Sequence, residues 1–398
     1  MNVLLIYIFL DVVAFSAIII SVLPFHAKML GAGPFLVTIY ISTFSFIQFF
    51  VSPILGKLSD KFGRKPLLIS SSLADLVSHL IMAFASTLPI LFLSRLIAGL
   101  FSCNISVGSA LVSDITNPKE RTKYVGRYNS AYSLGFAIGP LIGGYLAGTD
   151  SLNPNYFKSS IFAAAINIIN LLILIYFLKP PKREIAVSSP AETTNTILSL
   201  LKYKNLSYLF ILYFLVNFVF SGLNGIFALW SEARFNWGPQ QIGIMMSFVG
   251  ILLAFHQAIS INFFVSKLKE KRTILISILS IFIGIYTLSI SFNYLFLSIA
   301  IFFCTMGIGI LNPTINSLIS LNSQNKDRGS ALSINQSGLS IARFTGQPFA
   351  GFFFQSISIN APLYIGLFVL LLVKVCLLYT SDAADERSSV DLGGRRII

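Results

Sequence analysis

Six ionisable residues sit inside long apolar runs of this 398-residue chain: Asp11, Asp75, His79, Arg95, His256 and Arg343. A charge is costly in hydrocarbon, so residues of this kind mark a pathway or a proton relay by default. Asp75 and His79 are four apart. On a helix they share a face, where a carboxylate and an imidazole could pass a proton or simply hold each other by a hydrogen bond. Arg95 lies about 10 Å inside its run at 1.5 Å per residue. There it could act as the charge partner of Asp11, or snorkel toward the nearer surface. The proton-coupling candidates are therefore Asp11, Asp75, His79 and Arg95.

A second set is polar without fixed charge. Gln48, Asn104, Asn217, Asn224, Gln257 and Asn335, with His256 and the aromatic Phe227, would suit a mixed polar and aromatic substrate cavity. Each could equally serve only to bond a neighbouring helix. The three cysteines are scattered, with no metal-ligand spacing, and no nucleotide-binding loop or catalytic triad is present. Neither an enzyme nor a metal site is expected, and no cofactor beyond a coupling proton.

Helices must position these residues. Hydrophobic residues make up 55% of the chain and charged residues 11%, with a mean hydropathy of +0.80; soluble domains carry roughly 25% charged residues. Apolar runs near 3–24, 35–56, 66–86, 88–111, 125–147, 159–178, 206–230, 240–266, 272–292, 294–320, 330–356 and from 361 onward predict an all-α polytopic membrane protein of twelve spans. Met1 to Pro24 carries Asp11 and lacks a basic leader, so it reads as the first span rather than a signal peptide.

The net charge of +13 is concentrated after spans two, four, six, eight and ten, as at Lys57, Lys61, Arg64 and Lys65, or Lys119, Arg121, Lys123 and Arg127. That asymmetry is a topology signal rather than a nucleic-acid site, and it puts both ends and the central linker in the cytoplasm. The polar stretch Pro180 to Leu198 divides the chain into an N-terminal half (1–178), a linker (179–205) and a C-terminal half (206–375). Three anchors recur at a shift of roughly 210 residues, among them Pro140 with Gly143 against Pro348 with Gly351, which predicts a repeat of six plus six spans. Residues 376–398 resemble translated sequencing adapter, so the twelfth span is expected to be cut short.

Two motifs read as conformational. Gly56 to Pro66, GKLSDKFGRKP, is a tight charged turn in which Gly56 and Gly63 allow unusual dihedrals, and Asp60 with Arg64 and Lys65 could bond backbone or one another. Gly135, Gly139, Pro140, Gly143 and Gly144 place small residues along one side of a helix with a proline in it, which permits close approach and a bend.

With the passages LFLSRLIAGL (Leu91 to Leu100), SDITNPKER (Ser113 to Arg121), GFAIGPLIGG (Gly135 to Gly144) and ALWSEARFNW (Ala228 to Trp237), these motifs resemble the major facilitator superfamily, and within it the drug:proton antiporters of the tetracycline resistance type. The resemblance implies that Asp60 faces the start of the eleventh span near Gly329, and that the glycine-proline motif belongs to antiporters. It implies a monomeric transporter in a bacterial inner membrane that exports a small organic solute or drug by alternating access in exchange for protons. A facilitator or symporter of the same fold, and a non-transporting membrane receptor or scaffold, are the alternatives.

Overall fold

The computed structural model describes residues 1–117, 120–179, 204–323 and 328–375. The linker residues 180–203, the basic residues Lys119, Lys182, Arg183, Lys202 and Lys326, and the tail 376–398 lie outside them.

The described chain is helical without strands. The first span is α1 (Asn2–Ile19) followed by α2 (Leu23–Met29), the second α3 (Pro34–Phe62) and the third α4 (Arg64–Ala83). The fourth is α5 (Leu88–Leu100) with α6 (Asn104–Ile115), then come α7 (Arg121–Ala147) and α8 (Tyr156–Phe177). The second half holds α9 (Lys204–Phe235), α10 (Pro239–Phe255), a π-helical turn His256–Ser260, α11 (Ile261–Ser289), α12 (Tyr294–Asn322), α13 (Arg328–Ser356) and α14 (Ala361–Val375). Among the described residues, nine helical stretches are long and apolar enough to cross a membrane. The other three spans are α7 and α13, each diluted by glycine and polar residues, and the shorter α14.

Three expected boundaries need correction. The run 3–24 extends to Met29 and breaks after Ile19, because Pro24 restarts the helix in its first turn, where its missing N–H costs nothing. The run 88–111 breaks at Phe101 to Cys103, and Asn104 opens a new helix. The turn at Gly56 to Pro66 shrinks to a single residue: α3 continues through Phe62, Gly63 reverses the chain at φ 94°, and α4 starts at Arg64. Only glycine adopts that dihedral at little cost. Pro66 falls in the first turn of α4, where a helix tolerates proline.

Within the first half α1 packs on α7 and α8, and α4 on α8; within the second, α9 packs on α13 and α11 on α12. The halves meet along two seams, α3 against α13 and α7 against α10. This is a bundle of two six-helix halves.

Candidate functional site

Asp11 of α1 and Asp75 of α4 converge on one carboxamide. Asn104 Nδ2 donates to Asp11 Oδ2 at 2.6 Å and to Asp75 Oδ2 at 3.3 Å. The break in the fourth span makes this possible, since it sets Asn104 at the first position of α6. A hydroxyl from α7 fixes its backbone: Tyr128 Oη donates to the Asn104 carbonyl at 2.8 Å. Tyr128 reaches that point because residue 108 is glycine, whose Cβ would stand 1.9 Å from the hydroxyl. Asp11 Oδ1, Asn104 Oδ1 and the Tyr7 hydroxyl are buried with no hydrogen-bond partner. A buried polar atom left unpaired costs about 1–3 kcal/mol. The cluster therefore holds unused donor and acceptor capacity, and two carboxylates sharing one donor can exchange a proton for a cationic group.

Arg95 and His79 do not take the places expected of them. Arg95, buried in α5, donates through Nη2 to Ser78 Oγ (2.8 Å) and through Nε to Ser94 Oγ (3.3 Å). Ser78 in turn donates to the Ser94 carbonyl at 2.8 Å. No ion pair joins Arg95 to Asp11: Asn104 bonds Asp11 Oδ2 and the serines bond Arg95 Nη2 and Nε, while Asp11 Oδ1 and Arg95 Nη1 are left without partners. Asp75 and His79 share α4 as expected, yet the His79 ring bonds Asn167 of α8 across 2.8 Å rather than Asp75. Ser78, Asn104 as a bridge, Tyr128 and Asn167 are the residues that sequence reasoning did not assign to this cluster. The available signal was the pair of asparagines, Asn167 and Asn170, in the apolar run of α8.

At the Gly63 reversal, Arg64 is the hub. It pairs with Asp60 (2.9 Å) and Asp114 (3.0 Å) and donates to Ser59, while Lys65 Nζ donates to the Ile175 carbonyl at 2.8 Å. This ties α3, α4, α6 and α8 together at their basic-loop ends. Gly56 is helical, with open space where a Cβ would sit. The side chains at the start of α13, which Asp60 was expected to face, lie outside the described residues.

The α7 motif is a packing surface. Gly135, Gly139 and Gly143 recur every fourth residue against the α1 backbone, where an added Cβ would stand 2.7 Å from Phe9 O, 2.7 Å from Val13 O and 1.9 Å from Ala17 O. Gly144 turns to the other half, where an added Cβ would collide with Pro239 O, and a Cβ added at Gly243 of α10 would collide with Pro140 O in return. Pro140 leaves its own carbonyl to the Ser21 hydroxyl (2.9 Å).

The halves are sealed on the side away from the basic loops. Lys28 Nζ meets Glu232 at 2.7 Å, the Gln355 side chain accepts from Phe35 N at 3.1 Å, and Gln240 N donates to Gly148 O at 3.0 Å. Deeper along the α3–α13 seam the contact passes through Thr38 with Gly351 to Phe46 and Phe49 around Phe344.

The cavity candidates divide. Asn224 and Phe227 of α9 line an apolar cavity with Met246, Leu288 and Thr305, enclosing about 530 Å³ with its open mouth. The others lie elsewhere: Gln48 bonds Ser102 (2.9 Å), Asn217 bonds Asn312 (3.1 Å) and Asn335 bonds Asn316 (2.8 Å), which are helix-to-helix bonds. His256, buried at the head of the π-helical turn, has Nδ1 on Ser260 (3.0 Å) and Nε2 unpartnered, while Gln257 is exposed.

Comparison with known proteins agrees with this architecture. The family model described as Major Facilitator Superfamily matches residues 4–325 and 209–395. Tetracycline resistance protein, class H, of Pasteurella multocida is 30% identical over 303 residues, covering 74% of each chain. Multidrug resistance protein 2 of Bacillus subtilis is 28% identical over 90% of each. Quinolone resistance protein NorA of Staphylococcus aureus is 26% identical over 88% of each. Among solved structures, nucleoside transporter NupG superposes with a TM-score of 0.77 at 15% identity, over 95% of this chain and 99% of that one. A helical bundle of two six-span halves, with ionisable residues bonded inside it and a family model matching most of its length, has one consistent assignment: the chain is an integral, multi-pass membrane transporter, not an enzyme, and belongs to the Major Facilitator Superfamily.

Proposed function

We propose that this protein is a proton-coupled antiporter that exports a small organic solute or drug from the cytoplasm. One observation carries the reading: Asp11 and Asp75, from two different spans, share the Asn104 carboxamide inside the bundle. Adding a proton to either carboxylate changes what holds α1 to α4 and α6. A proton can then bias the equilibrium between two arrangements of the halves, to the extent that its affinity differs between them. The basic loops support the reading that their side faces the cytoplasm. The seal through Lys28, Glu232 and Gln355 is then the outer gate, and substrate binds between the halves as they rock.

The names of the relatives supply the probes, tetracycline and a fluoroquinolone. In proteoliposomes, transport of at least one of them is expected to follow an imposed pH gradient and to stop when the gradient is collapsed. Transport of the same rate with and without the gradient would sink proton coupling and leave a facilitator.

A further inference from the structure

Arg343 of α13 is an intramembrane cation of the second half, on a different element from the carboxylates of α1 and α4. It sits 15 residues from Arg328 and 13 from Ser356, so about 20 Å of helix separates it from either end of α13. A side chain cannot snorkel that far. Among the described residues it forms no hydrogen bond or ion pair, and it is exposed.

Its direction is set by its neighbours on α13. Gly346 and Gln347, three and four residues on, pack against Phe218 and Gly225 of α9, so Arg343 shares the face turned toward the ninth helix. Phe344 beside it lies in the seam against Phe46 and Phe49. The guanidinium acts electrostatically on Tyr213 of α9 and on Tyr132 of α7, in the opposite half. Tyr132 also feels Asp11. Arg343 therefore lies at the space between the halves, within electrostatic reach of a phenol from each half. The Asn217–Asn312 pair continues this lining, since Asn217 donates to the Tyr213 carbonyl at 2.8 Å.

We infer that Arg343 is a binding residue for an anionic group on the substrate, held as a carboxylate or equivalent oxyanion by the guanidinium with Tyr132 and Tyr213 as hydroxyl donors. A guanidinium presents a fork that matches such a group. An unpaired cation at mid-membrane depth is retained at a cost that a bound anion would offset. The inference rests on the export reading and names the substrate class for it: amphiphiles bearing a negative group, alone or beside a positive one, rather than the lipophilic cations.

The test uses two fluorescent amphiphiles, carboxyfluorescein as the anion and ethidium as the cation, with the full chain purified and in proteoliposomes. Carboxyfluorescein is expected to raise the melting temperature of the wild type and to be transported. Arg343→Gln is expected to lower its apparent affinity about tenfold or more, with Arg343→Lys intermediate and the melting temperature without probe unchanged. If carboxyfluorescein neither stabilises nor crosses, the inference is overturned, and ethidium transport under a pH gradient would leave the export reading standing. Equal loss of both probes in Arg343→Gln also overturns it, because the residue would then act on the conformational cycle. Arg343-dependent binding of the anion without any response to pH would uphold the site and remove proton coupling instead.

Discussion

Asn104 Nδ2 lies 2.6 Å from Asp11 Oδ2 and 3.3 Å from Asp75 Oδ2, so one side chain of α6 holds carboxylates from α1 and α4 in a common site. Asn104→Ala removes the shared donor and leaves the buried Asp11 and the half-buried Asp75 with nothing between them. Hydrogen bonds to charged groups are worth about 1.5–3 kcal/mol. Proton-driven transport should fall about tenfold or more while the protein still elutes as a monodisperse peak in detergent. Tyr128→Phe, which loses only the bond to the Asn104 backbone, should fall by less. Unchanged transport in Asn104→Ala would show that the bridge is structural decoration.

The glycines of α7 are separable by what surrounds them. At Gly143 a Cβ would stand 1.9 Å from the Ala17 carbonyl, and backbone cannot yield as a side chain tip can. Gly143→Val is expected to lower the melting temperature and the yield of folded protein, since overpacking of this kind costs about 1–3 kcal/mol or more. Gly126, on the same helix, has nothing within 4 Å of its Cβ. Gly126→Ala should be neutral or stabilising by up to about 1 kcal/mol. Thermal unfolding monitored by tryptophan fluorescence would compare the two.

The Lys28–Glu232 pair bridges the halves at 2.7 Å, with the lysine side chain 43% exposed and the glutamate 10%. Pairs this exposed contribute up to about 1 kcal/mol, enough to move a two-state equilibrium about fivefold. Lys28→Glu should therefore lower the rate of crosslinking between cysteines placed at Phe35 and Phe352, whose rings stand 5.9 Å apart across the seam. Lys28→Glu with Glu232→Lys should restore it. A rate indifferent to both would remove the pair from the gate.

The fold was largely legible because a membrane span writes itself as an uninterrupted apolar run. Helix breaks were not. The interruption at Phe101 to Cys103 lies within continuous apolar sequence, and it alone carries Asn104 to Asp11. The identities of Asp11, Asp75 and Asn104 could be read from the rarity of polar groups in hydrocarbon, whereas their partners could not. Arg95 looked like a match for Asp11, yet it bonds Ser78 of α4 and its own neighbour Ser94 instead, with Nη1 left unpartnered. Glycine spacing on α7 announced close packing, but which helix each glycine meets depended on tertiary register: α1 for Gly135, Gly139 and Gly143, and α10 for Gly144.

The account turns on the two bridged carboxylates moving protons against substrate. The direct measurement is proton flux in proteoliposomes containing an internal pH dye, driven by an outward gradient of tetracycline or a fluoroquinolone with no imposed pH difference. The account predicts a probe-driven pH change in the wild type that is lost in both Asp11→Asn and Asp75→Asn, while both variants remain folded. A probe flux with no accompanying proton movement, or full proton movement in the double variant, would contradict it.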